Sequence, residues 1–122
     1  MSNIRAVENG QSKDMTECKR RMLPVLDALA VLSGKWKFPI IIALSHNNNR
    51  FKEIVRAVPG LTDKTLSKEL KEMAEDQLIE RIVYETFPPK VEYYLTDHAK
   101  SLTSIIEMLR EWGLQHRKKI LG

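Results

Sequence analysis

One stretch, residues 62–78, limits more than any other what this 122-residue chain can fold into. Leu66, Leu70 and Met73 recur at three- and four-residue steps, with Ala74 and Leu78 at the margin of the stripe. Such spacing predicts a helix with one apolar face. Thr62 suits the N-cap, and Asp63 suits the positive end of the helix dipole. With Leu66 at the centre of the buried face, steps of about 100° per residue gather Lys64, Lys68 and Lys71 on the opposite side, flanked by Thr65 and Ser67. Three ammonium groups and two short hydroxyls form a surface suited to phosphates and base edges. An ordinary solvated face is the alternative, because Glu69, Glu72 and Glu75 stand where they can pair with lysines at i,i+3 or i,i+4.

The neighbours of this helix favour the first reading. Residues 52–58 predict a short helix burying Ile54, Val55 and Val58, and Pro59-Gly60-Leu61 a tight turn. Two helices joined by a short glycine-containing turn, the second longer and more basic, form a helix-turn-helix. Residues 79–86 and 91–95 are rich in β-branched and aromatic side chains and read as strands. Between them Phe87-Pro88-Pro89-Lys90 predicts a stiff hairpin tip, since two prolines cannot sit in a central strand. The hairpin would be a wing carrying Lys90 at its tip and Arg81 on the strand leading to it. For Lys90 the alternative is a solubilising charge on an edge hairpin.

The flanks predict further helices. Residues 1–14 lack periodicity and read as a flexible tail. From Met15 onward, Met15, Cys18, Met22, Val25, Leu26, Leu29 and Leu32 recur at helical spacing, but Pro24 interrupts them. Proline is tolerated at a helix start, so the first helix is expected at about 23–32, after a separate preceding segment. Its apolar residues cover more than half the circumference, which implies contact on two sides. Ser33-Gly34 ends it. The next helix opens around Lys35-Trp36-Lys37-Phe38-Pro39, runs to about Ser45 and buries residues 40–44. A polar loop, residues 46–49, leads to Arg50-Phe51, expected as a one-pair strand. Thr96 caps a last helix, about 97–120, with Leu102, Ile105, Ile106, Leu109 and Trp112 on one stripe and Gly113 beside it. A stripe of this strength needs a covering surface. Pairing of Met22, Val25, Leu26 and Leu29 and of the last-helix stripe with a second chain is the expectation; packing on the chain's own domain is the alternative.

These elements predict an α+β, mainly α fold: a single winged helix-turn-helix domain over 15–122, with N- and C-terminal dimerisation helices. The helix-turn-helix falls at about 52–76 and the wing at about 79–95. Composition narrows the function. The net charge of +4 favours an anionic partner. A lone cysteine permits no intrachain disulfide and points to a cytoplasmic address. Residues 38–44 are the longest apolar run, too short to span a bilayer, and the polar start does not read as a signal peptide. His46, His98 and His116 are scattered and none pairs with the cysteine at metal-ligand spacing. No phosphate-cradling glycine loop appears. No enzyme, cofactor or metal is expected. Two readings of the basic face stay open: duplex DNA, or an acidic protein partner.

The blocks Gly34-Lys35-Trp36, Arg50-Phe51-Lys52-Glu53, Pro59-Gly60-Leu61-Thr62, Lys64-Thr65-Leu66, Pro88-Pro89-Lys90-Val91-Glu92-Tyr93 and Trp112-Gly113 occur in this order. As a set, over about residues 23–113, they resemble the HxlR-type family of bacterial winged-helix regulators, relatives of the MarR group. The resemblance implies a homodimer that binds near-palindromic operator DNA and represses or activates nearby genes. It implies that residues 62–76 are the recognition helix and Pro88-Pro89-Lys90 the wing. Arg50 and Lys35 match basic positions placed to touch phosphates. Members of that family commonly carry a cysteine just before the proline of the first helix, in some cases to sense oxidants. Here Leu23 holds that position, and Cys18 lies five residues earlier. Lys19-Arg20-Arg21 follow it, and adjacent positive charge favours a thiolate. Cys18 is thus a candidate redox sensor, against the alternative of an unused or buried thiol. A small-molecule or redox effector is compatible with the chain, though no residue identifies it.

Overall fold

The computed structural model describes residues 14–122, and these fall into two compact units, one ending at Ser33 and the other Gly34–Gly122. The tail expected at 1–14 lies outside the described residues except for Asp14.

In the first unit, α1 spans Met15–Val31 without a break. The Asp14 carboxylate caps it, accepting from the Glu17 N–H at 3.0 Å. Pro24 lies inside the helix, so the expected start at residue 23 is wrong. Proline removes only one backbone donor, and Glu17, Lys19, Arg20, Arg21 and Met22 before it are straight-chain helix formers. An i,i+3 pair, Arg20 to Glu17 at 2.6 Å, adds to them.

The second unit is built around α2, Lys37–Ser45. Pro39 is its third residue, in the first turn, where a missing N–H leaves nothing unsatisfied. Ile40, Ile41, Ala43 and Leu44 are buried, while Ile42 faces outward. After the loop comes α3, Phe51–Ala57. The Glu53 carboxylate accepts from the N–H groups of Asn49 and Arg50, both at 3.1 Å, and so caps this helix. The strand expected at Arg50-Phe51 is therefore absent: Phe51 is already helical. Its pairing role passes to Asn49, whose carbonyl accepts from the Tyr93 N–H at 2.9 Å and whose side-chain amide donates to the Tyr93 carbonyl at 2.7 Å.

Residues 58–62 turn the chain into α4, Asp63–Glu75. Gly60 has φ +82°, the left-handed region, and a side chain there would also meet the Trp36 ring at 3.7 Å. Leu66, Leu70 and Met73 of α4 pack in the same core as Ile54, Val58, Leu61, Leu78, Ile79 and Ala99. Gln77, at φ +61°, ends α4, with the Leu78 N–H donating to the Met73 carbonyl at 2.9 Å.

Strands β1, Ile79–Tyr84, and β2, Lys90–Leu95, form one antiparallel hairpin, in register from Ile79 opposite Leu95 to Tyr84 opposite Lys90. Lys90 is thus the first residue of β2, and residues 85–89 make the tip. The last helix is broken in two: α5, Asp97–Lys100, and α6, Thr103–Leu121. Thr96 caps α5 as expected, accepting from the Ala99 N–H at 3.1 Å. The single helix expected at 97–120 fails at residues 101–102. There the Ser101 and Leu102 N–H groups donate back only three residues, and the Ser101 hydroxyl donates to the His98 carbonyl. Serine competes for backbone partners in this way and interrupts helices.

Candidate nucleic-acid interface

The outer side of α4 is where the predicted residues converge. Thr62 accepts from the Thr65 N–H at 3.2 Å and donates to the Thr65 hydroxyl at 3.1 Å, so both hydroxyls are committed to the cap. Thr65 is half-buried, whereas Lys64, Ser67, Lys68 and Lys71 are exposed. Among the described residues Lys64 and Lys71 make no ion pair, while Lys68 lies 3.2 Å from Glu72. A groove of about 360 Å³ beside α4 is lined by Ser67, Leu70 and Lys71 of the helix, with Phe51, Arg81 and Tyr93. It brings Ser67, Lys71 and Arg81 together from separate parts of the sequence.

The other predicted cations are dispersed. Arg50 is exposed at the start of α3 and lines a shallow depression with Lys52, Arg56 and Pro89. Lys35 is exposed, its ammonium 4.8 Å from the centre of the Trp36 ring. Lys90 is only half-exposed. Its ammonium sits 4.8 Å from the centre of the Tyr84 ring and 3.7 Å from Glu92. Lys90, expected at the wing tip, is thus the first residue of β2 beside the tip, because strand pairing opposite Tyr84 holds it on the sheet.

Two clusters were not foreseen from the sequence. On the hairpin, the Tyr94 hydroxyl donates to Glu92 at 2.7 Å. That bond, with burial, pushes the Tyr94 phenol up to about 12, and the same bond holds the Glu92 carboxyl below its usual value. Behind α4, Lys37 is buried and donates to Glu69 at 2.7 Å and to Glu72 at 2.8 Å. Burial pushes this ammonium down, but its hydrogen bonds to Glu69 and Glu72 outweigh that and hold it above the usual lysine value. Glu72 is held below the carboxylate range by Lys37 and then by Lys68. One signal could have found this cluster: Glu69 lies only about 60° around the helix from Leu66, nearer the apolar face than any lysine.

The predicted interface residues are apolar and largely uncovered. Met22, Val25, Leu26 and Leu29 on α1 are exposed, as are Ile105, Leu109 and Trp112 on α6. Leu102 and Ile106 are half-buried, Ile106 lining a groove with Phe38 and Ile42 of α2. Cys18 is an exposed free thiol on α1. No group of three metal-ligating side chains occurs among the described residues, and no described helix is long and apolar enough to cross a membrane.

Residues 31–120 match the HxlR-like helix-turn-helix family. The HTH-type transcriptional regulator YtcD of Bacillus subtilis is 41% identical over 106 residues, covering 87% of this chain and 84% of YtcD. A crystal structure of a ytcD regulator matches with TM-score 0.73 at 42% identity, over 77% of this chain and 96% of that one. The redox regulator HypR in its reduced form matches with TM-score 0.71 at 35% identity, over 80% of this chain and 96% of HypR. Helix, turn, basic-faced helix and hairpin, with this likeness over most of the sequence, make the chain a member of the HxlR-like helix-turn-helix family, winged-helix transcriptional regulators of the MarR-like group.

Proposed function

We propose that this protein regulates transcription by binding a near-palindromic duplex operator as a homodimer. Each subunit lays α4 in a major groove and sets the β1–β2 hairpin against the backbone or minor groove. The observation that carries this reading is the outer face of α4: Lys64, Ser67, Lys68 and Lys71 are exposed on the side away from Leu66, Leu70 and Met73. Lysine charges neutralise phosphates and release counterions, which makes binding salt-dependent. Lys35, Arg50, Arg81 and Lys90 add phosphate contacts. Ser67 and Lys64 read base edges, with Thr62 and Thr65 at the helix start against the backbone.

Support for the dimer is the set of apolar side chains left uncovered on each of the two units. Seven large side chains, Met22, Val25, Leu26 and Leu29 of α1 with Ile105, Leu109 and Trp112 of α6, stand at least 47% exposed. A second copy would cover them in a two-fold interface. Two-fold symmetry then spaces the half-sites about 34 Å apart, or a multiple of that. The test combines sedimentation with fluorescence anisotropy on duplex DNA from upstream of the chain's own gene, titrated with salt. A dimer whose affinity falls linearly on a log–log salt plot is expected. A monomer, or a dimer without salt-dependent DNA binding, would overturn the reading and favour an acidic protein partner instead.

A further inference from the structure

We propose that Lys37, which lies behind α4 and cannot itself reach a duplex, positions the recognition helix and sets the charge it shows to DNA. The inference rests on the DNA-binding reading above. Lys37 opens α2, and its side chain is 5% exposed. Two of its three N–H donors are spent on Glu69 Oε1 at 2.7 Å and Glu72 Oε1 at 2.8 Å, one turn apart on α4. Aliphatic packing of Leu66, Leu70 and Met73 fixes which side of α4 faces the core, but such contacts tolerate small rotations. Two directional, charge-assisted hydrogen bonds from another helix do not.

Glu72 extends this clamp to the surface. Its second oxygen, Oε2, lies 3.2 Å from the ammonium of Lys68, whose side chain is 69% exposed. An outward lysine on the proposed phosphate-facing side is therefore restrained by a carboxylate that a buried lysine anchors. Two cations and two anions make the cluster neutral. Of the three outward lysines, Lys68 is offset by Glu72, while Lys64 and Lys71 provide the unopposed attraction. Were Lys37 uncharged, the same cluster would carry one net negative charge. Glu72, one turn from Lys68, would then stand within a Debye length, about 8 Å, of any phosphate Lys68 touches. In this way a residue inside the protein governs affinity for a polyanion outside it.

Anisotropy titrations over a range of salt, on the chain's own upstream duplex and on a scrambled duplex, test this, with thermal melting alongside. Glu72→Gln keeps an acceptor for Lys37 but frees the charge of Lys68. It should steepen the salt slope by about one on both duplexes and lower the ratio of specific to non-specific affinity. Lys37→Met should weaken binding to both. The double variant Lys37→Met with Glu69→Met restores the net charge and removes the buried unpaired carboxylate, so it should regain most of that loss on the scrambled duplex, while its ratio of specific to non-specific affinity stays below that of wild type because the clamp is gone. Lys37→Met alone leaves Glu69 unpaired and can unfold, in which case Glu72→Gln decides. Wild-type slope and ratio in Glu72→Gln would overturn the inference. So would a double variant that melts like wild type yet stays as weak as Lys37→Met on the scrambled duplex, or one that recovers the wild-type ratio without the clamp. A wild-type protein with no salt-dependent binding to either duplex would overturn the DNA reading itself, and this inference with it.

Discussion

Leu66→Ala and Lys64→Ala change residues two positions apart on α4 and should have opposite consequences. Leu66 is fully buried between α4 and the core, so truncation leaves a cavity as well as losing transfer energy. For such a site the cost is about 3–4 kcal/mol. Unfolding entropy of about 2.1 cal/mol/K per residue, taken over the 122 residues of the chain, gives roughly 0.26 kcal/mol/K. Leu66→Ala should therefore lower Tm by about 12–15 °C. Lys64 is exposed and unpaired among the described residues, so its truncation should move Tm by no more than about 2 °C. Thermal denaturation followed by circular dichroism, at one fixed chain concentration, measures both. Anisotropy on the upstream duplex, at a temperature where each variant is folded, supplies the second axis. Leu66→Ala should keep near-wild-type affinity, and Lys64→Ala should lose affinity and change sequence preference. Equal melting shifts from the two, or an affinity loss confined to Leu66→Ala, would refute the assignment of inner and outer faces.

Five other outcomes are expected. Ser67→Ala should alter sequence preference. Lys90→Ala should weaken binding to all duplexes and lower the salt slope by at most about one, since Glu92 at 3.7 Å already offsets part of its charge. Thr62→Ala removes the acceptor for the Thr65 N–H and should cost about 1 kcal/mol in urea unfolding, with no gain from added salt. In an ultraviolet titration, one of the three tyrosines should ionise only near 12, and Glu92→Gln should return it toward the ordinary phenol value. The sign follows from the raised value: the contribution of Tyr94 to stability is whole below the ordinary phenol range and is lost as pH rises through about 12. Trp112→Ala should shift sedimentation toward monomer, and an unchanged dimer mass would remove Trp112 from the interface.

The local elements were legible wherever one residue type fixed backbone geometry or one period ran clear. Gly60 marked the turn, Thr62 and Thr96 the caps, Pro88-Pro89 the hairpin tip, and Leu66, Leu70 and Met73 the inner side of α4. Boundaries failed where local signals competed. Pro24 argued for a helix start, yet the straight-chain residues before it carried α1 through. Ser101 broke a stripe that ran on unbroken in the sequence, because side-chain hydrogen bonding to the backbone leaves no mark on hydrophobic period.

Periodicity and chain chemistry by themselves determined the winged helix-turn-helix order and the cationic outer side of α4, since both depend on neighbours a few residues apart. Only the tertiary structure decided what each charge does. Lys37 reads as one more surface lysine until α2 is laid against α4, thirty-two residues on, and buries it between Glu69 and Glu72. Lys90 reads as a wing-tip cation until strand pairing sets it over Tyr84 beside Glu92. Charges act through space rather than along the chain, so their partners appear only when distant segments meet.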